Sequence, residues 1–229
     1  MRRRAFIKGA AATAAWPLAA RAQQPALPVI GFLSPEWPDL FADRLRGFRE
    51  GLSQVGYVEG RNVSIEYRWA EGQTDRLPAL AAELVRRQVN VIAALGSTPA
   101  ALAAKAATST IPTVFYVGTD PVKIGLVANF HRPGGNITGV TTLNVQIAAK
   151  RLELVHELLP KATVIAALIN PANPIVAETS ERDLLAATRT MGLQLHVLRA
   201  STEREIKDAL ATLAQVQATR LSLTPMHSS

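Results

Sequence analysis

The sequence predicts an α/β fold of two doubly wound parallel-sheet lobes. Short apolar strands alternate with amphipathic helices along almost the whole chain, which is the pattern of parallel sheets joined by crossover helices. The alternation breaks near Thr141 to Gln146 and then resumes. That break, with the leader described next, divides the chain into a leader at 1–22, a first lobe at 23–144 and a second lobe at 145–229.

The leader opens with Arg3-Arg4-Ala5-Phe6-Ile7-Lys8, continues as an alanine-rich apolar run and ends at Ala20-Arg21-Ala22. Paired arginines, a short apolar stretch and an Ala-x-Ala end form a twin-arginine export signal. The run from Gly9 to Ala20 is about a dozen residues, short of the roughly twenty that span a bilayer, and Pro17 interrupts it. Cleavage after Ala22 and a periplasmic destination are the expectations. The leader also accounts for most of the charge. The chain has 25 basic and 18 acidic residues, a net of +7. Five of the bases and none of the acids precede Gln23, leaving 20 against 18, or +2. A nucleic-acid partner is therefore not indicated. With no cysteine, the fold rests on its core, and thiolate chemistry and cysteine-based zinc sites are excluded.

After Pro25 and Pro28, Val29 to Ser34 reads as a buried strand. Phe41, Leu45, Phe48, Leu52 and Val55 then fall on one helical face. Val63, Ile65, Tyr67 and Trp69 alternate with Ser64, Glu66 and Arg68 as a half-buried strand. A helix follows from about Asp75 to Arg87, capped by Thr74 with Leu77, Leu80 and Leu84 inward. Val89 to Leu95 is the next strand, and Ser97 or Thr98 caps the helix that Pro99 begins. Thr113 to Val117 is a strand, Gly118-Thr119-Asp120-Pro121 turns the chain, and a short helix is expected from about Val122. Pro133-Gly134-Gly135-Asn136 leads into the strand Ile137 to Val140. Phe115, Tyr116 and Trp69 read mostly as core, whereas Trp37, between two prolines, does not.

The second series starts with a helix from about Val145 to Leu159, stopped by Pro160. Thr163 to Ile169 is a strand, and Asn170-Pro171-Ala172-Asn173-Pro174 ends it. A helix runs to Met191 with Gly192 beyond its end, and Gln194 to Arg199 is a strand. Thr202 and Glu205 make a capping box before a last helix.

In doubly wound sheets, ligands bind beyond the carboxyl ends of the strands at a topological switch point. Three strand ends carry suitable groups: Ser34, Gly96-Ser97-Thr98 and Gly118-Thr119-Asp120. At Ser97 and Thr98, helix-start amides and two hydroxyls favour a carboxylate or another anion, and Asp120 could balance an ammonium group. Simpler roles stand beside these: Ser97 and Thr98 as caps, Asp120 as a turn residue, Asn170 and Asn173 as strand and helix terminators. Enzyme signatures are poor. There is no Gly-x-Gly-x-x-Gly after the first strand, no P-loop lysine and no Gly-x-Ser-x-Gly elbow. The four histidines, at 131, 156, 196 and 227, have no metal-ligand spacing.

The leader, Ile30-Gly31-Phe32-Leu33-Ser34, Phe48 to Gly60, Gly118-Thr119-Asp120-Pro121-Val122 and Arg132-Pro133-Gly134-Gly135-Asn136-Ile137-Thr138-Gly139-Val140 together resemble the ABC-transporter substrate-binding proteins. The branch is the one related to tryptophan- and tyrosine-binding lipoproteins, and the resemblance spans about Val29 to Val216. It implies a periplasmic-binding-protein type I-like pair of lobes that closes on a small molecule, an amino acid or similar solute, and delivers it to a membrane permease without a cofactor or catalysis. By position it implies that Ser34, Ser97, Thr98, Asp120 and Pro121 line the first lobe's side of the cleft, with Asn170 and Pro171 opposite. Members of the family continue further, whereas this sequence ends in Thr219 to Ser229, a tail unlike theirs. The expectation is a truncated product whose second lobe holds two or so strands, too few to cover both sheet faces, and which binds weakly or not at all. An exported Rossmann-like enzyme of unknown reaction is the alternative. A sugar-sensing regulator would need a helix-turn-helix where the leader stands.

Overall fold

The computed structural model describes residues 27–216 and 220–223; the leader expected at 1–22 lies outside them. The first sheet has five parallel strands: β1 (Val29–Ser34), β2 (Ser64–Trp69), β3 (Val91–Leu95), β4 (Thr113–Val117) and β5 (Ile137–Thr141). Their spatial order is β2-β1-β3-β4-β5, so the sheet reverses direction between β1 and β3. Helix α1 (Ala42–Gln54) joins β1 to β2, α2 (Leu77–Arg86) joins β2 to β3, and α3 (Thr98–Ala107) joins β3 to β4. Because right-handed crossovers in opposite directions land on opposite faces, α1 covers one face and α2 with α3 cover the other.

The two faces differ chemically. Under α2 and α3 lie Leu33, Leu77, Leu84, Ile92, Ala94, Phe115 and Val117, packed with the alanines of α3. Under α1 is an aromatic cluster centred on the fully buried Phe32. Its ring centroid lies 5.7 Å from Phe41, 5.5 Å from Phe48, 5.5 Å from Tyr67 and 5.2 Å from Trp69. Leu45, Phe48 and Leu52 of α1 pack there only partly. Val55, expected on the same apolar stripe, falls past the helix end and is 70% exposed.

Among the described residues, the α1 side of the sheet is covered only as far as β3. Val114 and Tyr116 of β4 and Thr138 and Val140 of β5 share that face, and all four are exposed. Tyr116 is therefore not a core residue as its strand suggests, because no helix among the described residues lies over this end. Parallel sheets are ordinarily covered on both faces. Where β5 meets β4, Gly139 lies against the Phe115 backbone and ring with no room for a β-carbon. The preceding turn is fixed by Asn136, whose amide donates to the carbonyls of Thr108 (3.2 Å) and Ile111 (2.6 Å).

Three local expectations are corrected. Thr74 begins a short 3-10 turn, Thr74–Arg76, and makes no capping bond to α2. The segment after Pro121 is a turn, because Gly125 takes a positive φ of 69° and ends the winding before a helix can propagate. The helix expected from Val145 starts at Ala148.

The second sheet is formed by β6 (Val164–Ile169), β7 (Gln194–Arg199) and β8 (Arg220–Leu223), in the order β7-β6-β8 and all parallel. Helices α4 (Ala148–Leu158) and α5 (Pro174–Thr190) pack on one face through Leu152, Ile165, Ala167 and Leu184. Helix α6 (Glu203–Val216) packs on the other through Ile206 and Ala209 against Leu168 and Leu198. Three strands are thus present where two or so were expected. The third comes from the tail read as foreign, whose end and the link to α6 lie outside the described residues. The capping box forms as written: the Glu205 N–H donates to Thr202 Oγ1 (3.3 Å), and the Thr202 N–H donates to Glu205 Oε2 (3.1 Å).

Between β5 and α4, residues 141–146 are stitched to the loop that follows β4. The Thr141 hydroxyl donates to the Thr119 carbonyl at 2.7 Å. The Thr142 N–H donates to Val117 and the Val145 N–H to Gly118, at 3.1 and 3.2 Å. Leu143 sits there with a φ of 50°.

Candidate ligand-binding site

The carboxyl ends of β1, β3 and β4 lie side by side across the switch point. At the β1 end, Ser34 is fully buried, and its Oγ accepts the Glu36 N–H at 3.2 Å. Glu36 is fully buried too and receives Arg44 Nη1 on Oε1 at 2.9 Å. At the β3 end, Ser97 is extended (φ −150°, ψ 134°), and its Oγ caps α3 by accepting the Ala100 N–H at 3.4 Å. Thr98 turns inward and shares a 2.9 Å hydrogen bond with the Thr119 hydroxyl. Both threonines are 2% exposed. Of the two hydroxyls that the sequence offers to an anion, that of Ser97 is thus engaged in capping α3 and that of Thr98 in tying the β3 end to the β4 end.

Asp120 is half-buried, and Oδ1 accepts the N–H groups of Val122 (2.9 Å) and Lys123 (3.2 Å). With the Gln146 amide turned so that its oxygen faces Asp120, the Asp120 N–H donates to that oxygen at 2.8 Å and the amide nitrogen donates to the Leu143 carbonyl at 3.1 Å. Asp120 is therefore a turn residue, as the simpler reading had it, yet it also lines a cavity of about 320 Å3. One wall is the loop after β4, with Thr119, Lys123 and Ile124. Gln146 also lines it, and α5 supplies Ile175, Thr179, Arg182 and Asp183. The α5 residues follow helical spacing and share one face.

Of the six residues singled out from the sequence, Asp120 lines this cavity, and Thr98 stands one hydrogen bond behind it through Thr119. Ser34 and Ser97 are enclosed at neighbouring strand ends. Pro121 is buried and lines a separate concavity with Phe115, Val127 and Phe130. Asn170 is half-buried at the end of β6, with Oδ1 accepting the Ala172 N–H at 2.9 Å. Sequence reasoning missed Gln146 and the α5 wall. The available signal was the polar run Thr179, Arg182 and Asp183 on a helix whose buried stripe is Ser180, Leu184 and Thr188.

The cavity presents both signs of charge. Arg182 contacts Asp183 Oδ1 through Nε at 3.0 Å and Nη2 at 2.9 Å. The Arg182 side chain is 71% exposed, and such a pair contributes about 0–1 kcal/mol, so it regroups easily around a charged solute. Lys123 is exposed on the facing loop. With Ile124 and Ile175 also lining it, the site suits a small molecule carrying a charged end and an apolar body.

Two parallel α/β units with a polar cavity at the strand ends of the first define a solute-binding architecture of the periplasmic type I kind. A model of the family described as "ABC transporter substrate binding protein" matches residues 35–226. The chain belongs to this family of binding proteins, and the match runs into the tail expected to lie outside it. The chain is 32% identical over 168 residues to a tyrosine-binding protein of Clostridioides difficile (strain R20291), covering 73% of this chain and 48% of that one. It thus spans about half the length of that curated relative. Among solved structures, an ABC domain in complex with L-Trp from Streptococcus pneumonia superposes with a TM-score of 0.72 at 23% identity, over 89% of this chain and 67% of that one. A conserved domain protein from Vibrio cholerae superposes with a TM-score of 0.70 at 30% identity, over 85% and 64%.

Proposed function

We propose that the chain is the solute-binding component of an ABC importer, exported by its twin-arginine leader to the periplasm and serving a permease in the inner membrane. Its ligand is an amino acid or a closely similar small solute, held between lobes that divide at 23–144 and 145–229 and close upon it. It binds without turnover and without a cofactor. The observation that carries this reading is the cavity that sets Asp120 and Lys123 on one wall against Arg182 and Asp183 on the other. A solute bearing an ammonium and a carboxylate pairs with both signs at once, and Ile124 and Ile175 accommodate its apolar part. The tyrosine-binding relative supports the same ligand class. Because the two walls come from different sheets, a ligand that touches both favours their approach, which is how lobe closure follows from binding.

Thermal-shift titration of the chain with L-tyrosine, L-tryptophan, L-leucine and benzoate tests this. A ligand present at about 100 times its Kd stabilises by about 2.7 kcal/mol. Stabilisation by at least one solute is expected, reduced in Asp120→Ala, Lys123→Ala and Arg182→Ala. No stabilisation by any of them, or equal stabilisation of all three variants, defeats the proposal.

A further inference from the structure

We infer that Gln146 is a positioning residue that holds Asp120 for the solute and joins the two walls of the cavity, a step that rests on the binding-protein reading above. Gln146 is half-buried and lines the cavity. Its amide has one productive orientation. With the oxygen toward Asp120, it accepts the Asp120 N–H at 2.8 Å and donates to the Leu143 carbonyl at 3.1 Å. Turned the other way, its oxygen faces an acceptor and its nitrogen faces a donor, and both bonds are lost.

Both partners of the amide are themselves fixed. Asp120 Oδ1 accepts the N–H groups of Val122 and Lys123. With its own N–H taken by Gln146, Asp120 is pinned through backbone and side chain together. Its Oδ2, which has no hydrogen bond among the described residues, is left for a cationic group on the solute. Leu143 has a φ of 50°, a region that a bulky side chain rarely enters. Its N–H donates to Thr141 Oγ1 at 3.1 Å. Its carbonyl accepts the Gln146 backbone N–H at 3.2 Å as well as the side-chain amide.

Gln146 also stands at a junction. Helix α4 begins two residues later, at Ala148. Leu152 of α4 packs in one cluster with Leu184 of α5, the helix that brings Arg182 and Asp183 to the cavity. One residue therefore links the loop after β4 to the helix pair that carries the other wall. A solute then meets an Asp120 already aligned, and less of its binding free energy goes into ordering the site.

Calorimetric titration at about pH 8 and about pH 5 tests the inference on the wild type, Gln146→Met, Gln146→Glu and Asn136→Ala, with L-tyrosine, L-leucine and benzoate as probes and melting temperatures as the check on folding. Gln146→Met keeps the length of the side chain and removes both hydrogen bonds. The amino acids that the wild type binds should bind it at least about tenfold more weakly at either pH, equivalent to about 1.4 kcal/mol. Asn136→Ala also loses two amide hydrogen bonds, at the far end of β5. It should lower the melting temperature and leave affinity within about threefold, as a distant site does. Gln146→Glu carries the signature that a merely structural role would not give. As a carboxylate it accepts the Asp120 N–H but cannot donate to Leu143, whereas protonated it does both. Facing that carbonyl, it protonates more readily than in water. Its deficit relative to the wild type should therefore shrink from pH 8 to pH 5, with that of Gln146→Met unchanged. Asp120, Lys123, Arg182 and Asp183 around the cavity, and Lys150 and Arg151 in the first turn of α4, are common to all the chains, so their titration cancels in the comparison. Unchanged affinity in Gln146→Met, an equal loss in Asn136→Ala, or a Gln146→Glu deficit indifferent to pH overturns the inference and leaves the binding function standing, as does a wild type that binds only benzoate. A wild type that binds none of the three removes both.

Discussion

The hydroxyl pair Thr98–Thr119 gives the sharpest test of how the β3 and β4 ends are held. The two Oγ1 atoms are 2.9 Å apart, and both side chains are 2% exposed. Replacing Thr98 by the isosteric valine removes one partner and leaves the Thr119 hydroxyl buried without it, which costs about 1–3 kcal/mol. Replacing both removes the stranded group as well and should return stability toward the wild type. The expected signature is therefore strong non-additivity: Thr98→Val and Thr119→Val each destabilise, while the double variant lies near the wild type, with a coupling of about 0.5–3 kcal/mol. Urea titration followed by far-UV circular dichroism measures all four corners of the cycle. A chain of this size loses about 2–4 °C in Tm per kcal/mol, so melting curves serve as a check. If the single variants match the wild type, or if their costs simply add in the double variant, the two hydroxyls do not form the latch described.

Other perturbations probe separate parts of the molecule. Leu84 is fully buried beneath Gly31, so Leu84→Ala should cost about 2–5 kcal/mol in the same titration. Gln88 is exposed and has a φ of 54° just past the end of α2, so Gln88→Gly should relieve strain and raise stability by about 1 kcal/mol. The Glu205 carboxyl is held below its ordinary pKa, chiefly by the Ser201 N–H and then by that of Thr202. Its contribution is thus fully present above the ordinary carboxylate pKa and is lost as the pH falls through the lowered value. Glu205→Gln should flatten the stability profile below about pH 5, and an unchanged profile would show that the box contributes nothing. Glu66 is lowered in the same direction, foremost by the Arg87 guanidinium. Arg87→Met should therefore shift its titration, followed by NMR, back toward the usual carboxylate range.

Local chemistry made much of the fold legible. The alternation of Val63, Ile65, Tyr67 and Trp69, the Ser97 cap and the Thr202/Glu205 box are decided by near neighbours, and each forms as its spacing implies. Gly192, with a φ of 68°, ends α5 for the same reason. What escaped depends on partners distant in the chain. Tyr116 alternates like a core residue, but its exposure is set by whether a helix lies above β4. The turn after Pro121 has residues compatible with a helix, and Asp120 and Gly125 close it instead. The α5 wall of the cavity was hidden because Arg182 and Asp183 read as an ordinary solvated helix face until the β4 loop is placed opposite them. Asp120 was legible because a polar residue at a strand end carries its own positional meaning.

The half of the first sheet that no described helix covers gives the molecule an order of disassembly. β1 and β3 are sandwiched between α1 on one side and α2 with α3 on the other, whereas β5 has Thr138 and Val140 in water and stands at the end of the strand order. Segments with few buried contacts open at the lowest free energy, so amide exchange should be fastest at β5 and slow progressively toward β1. β5 leads directly into residues 141–146, which hold the loop carrying Asp120. Fraying at this outer strand therefore slackens the cavity wall while β1 and β3 stay packed, and whatever shields β4 and β5 from solvent also keeps the site taut.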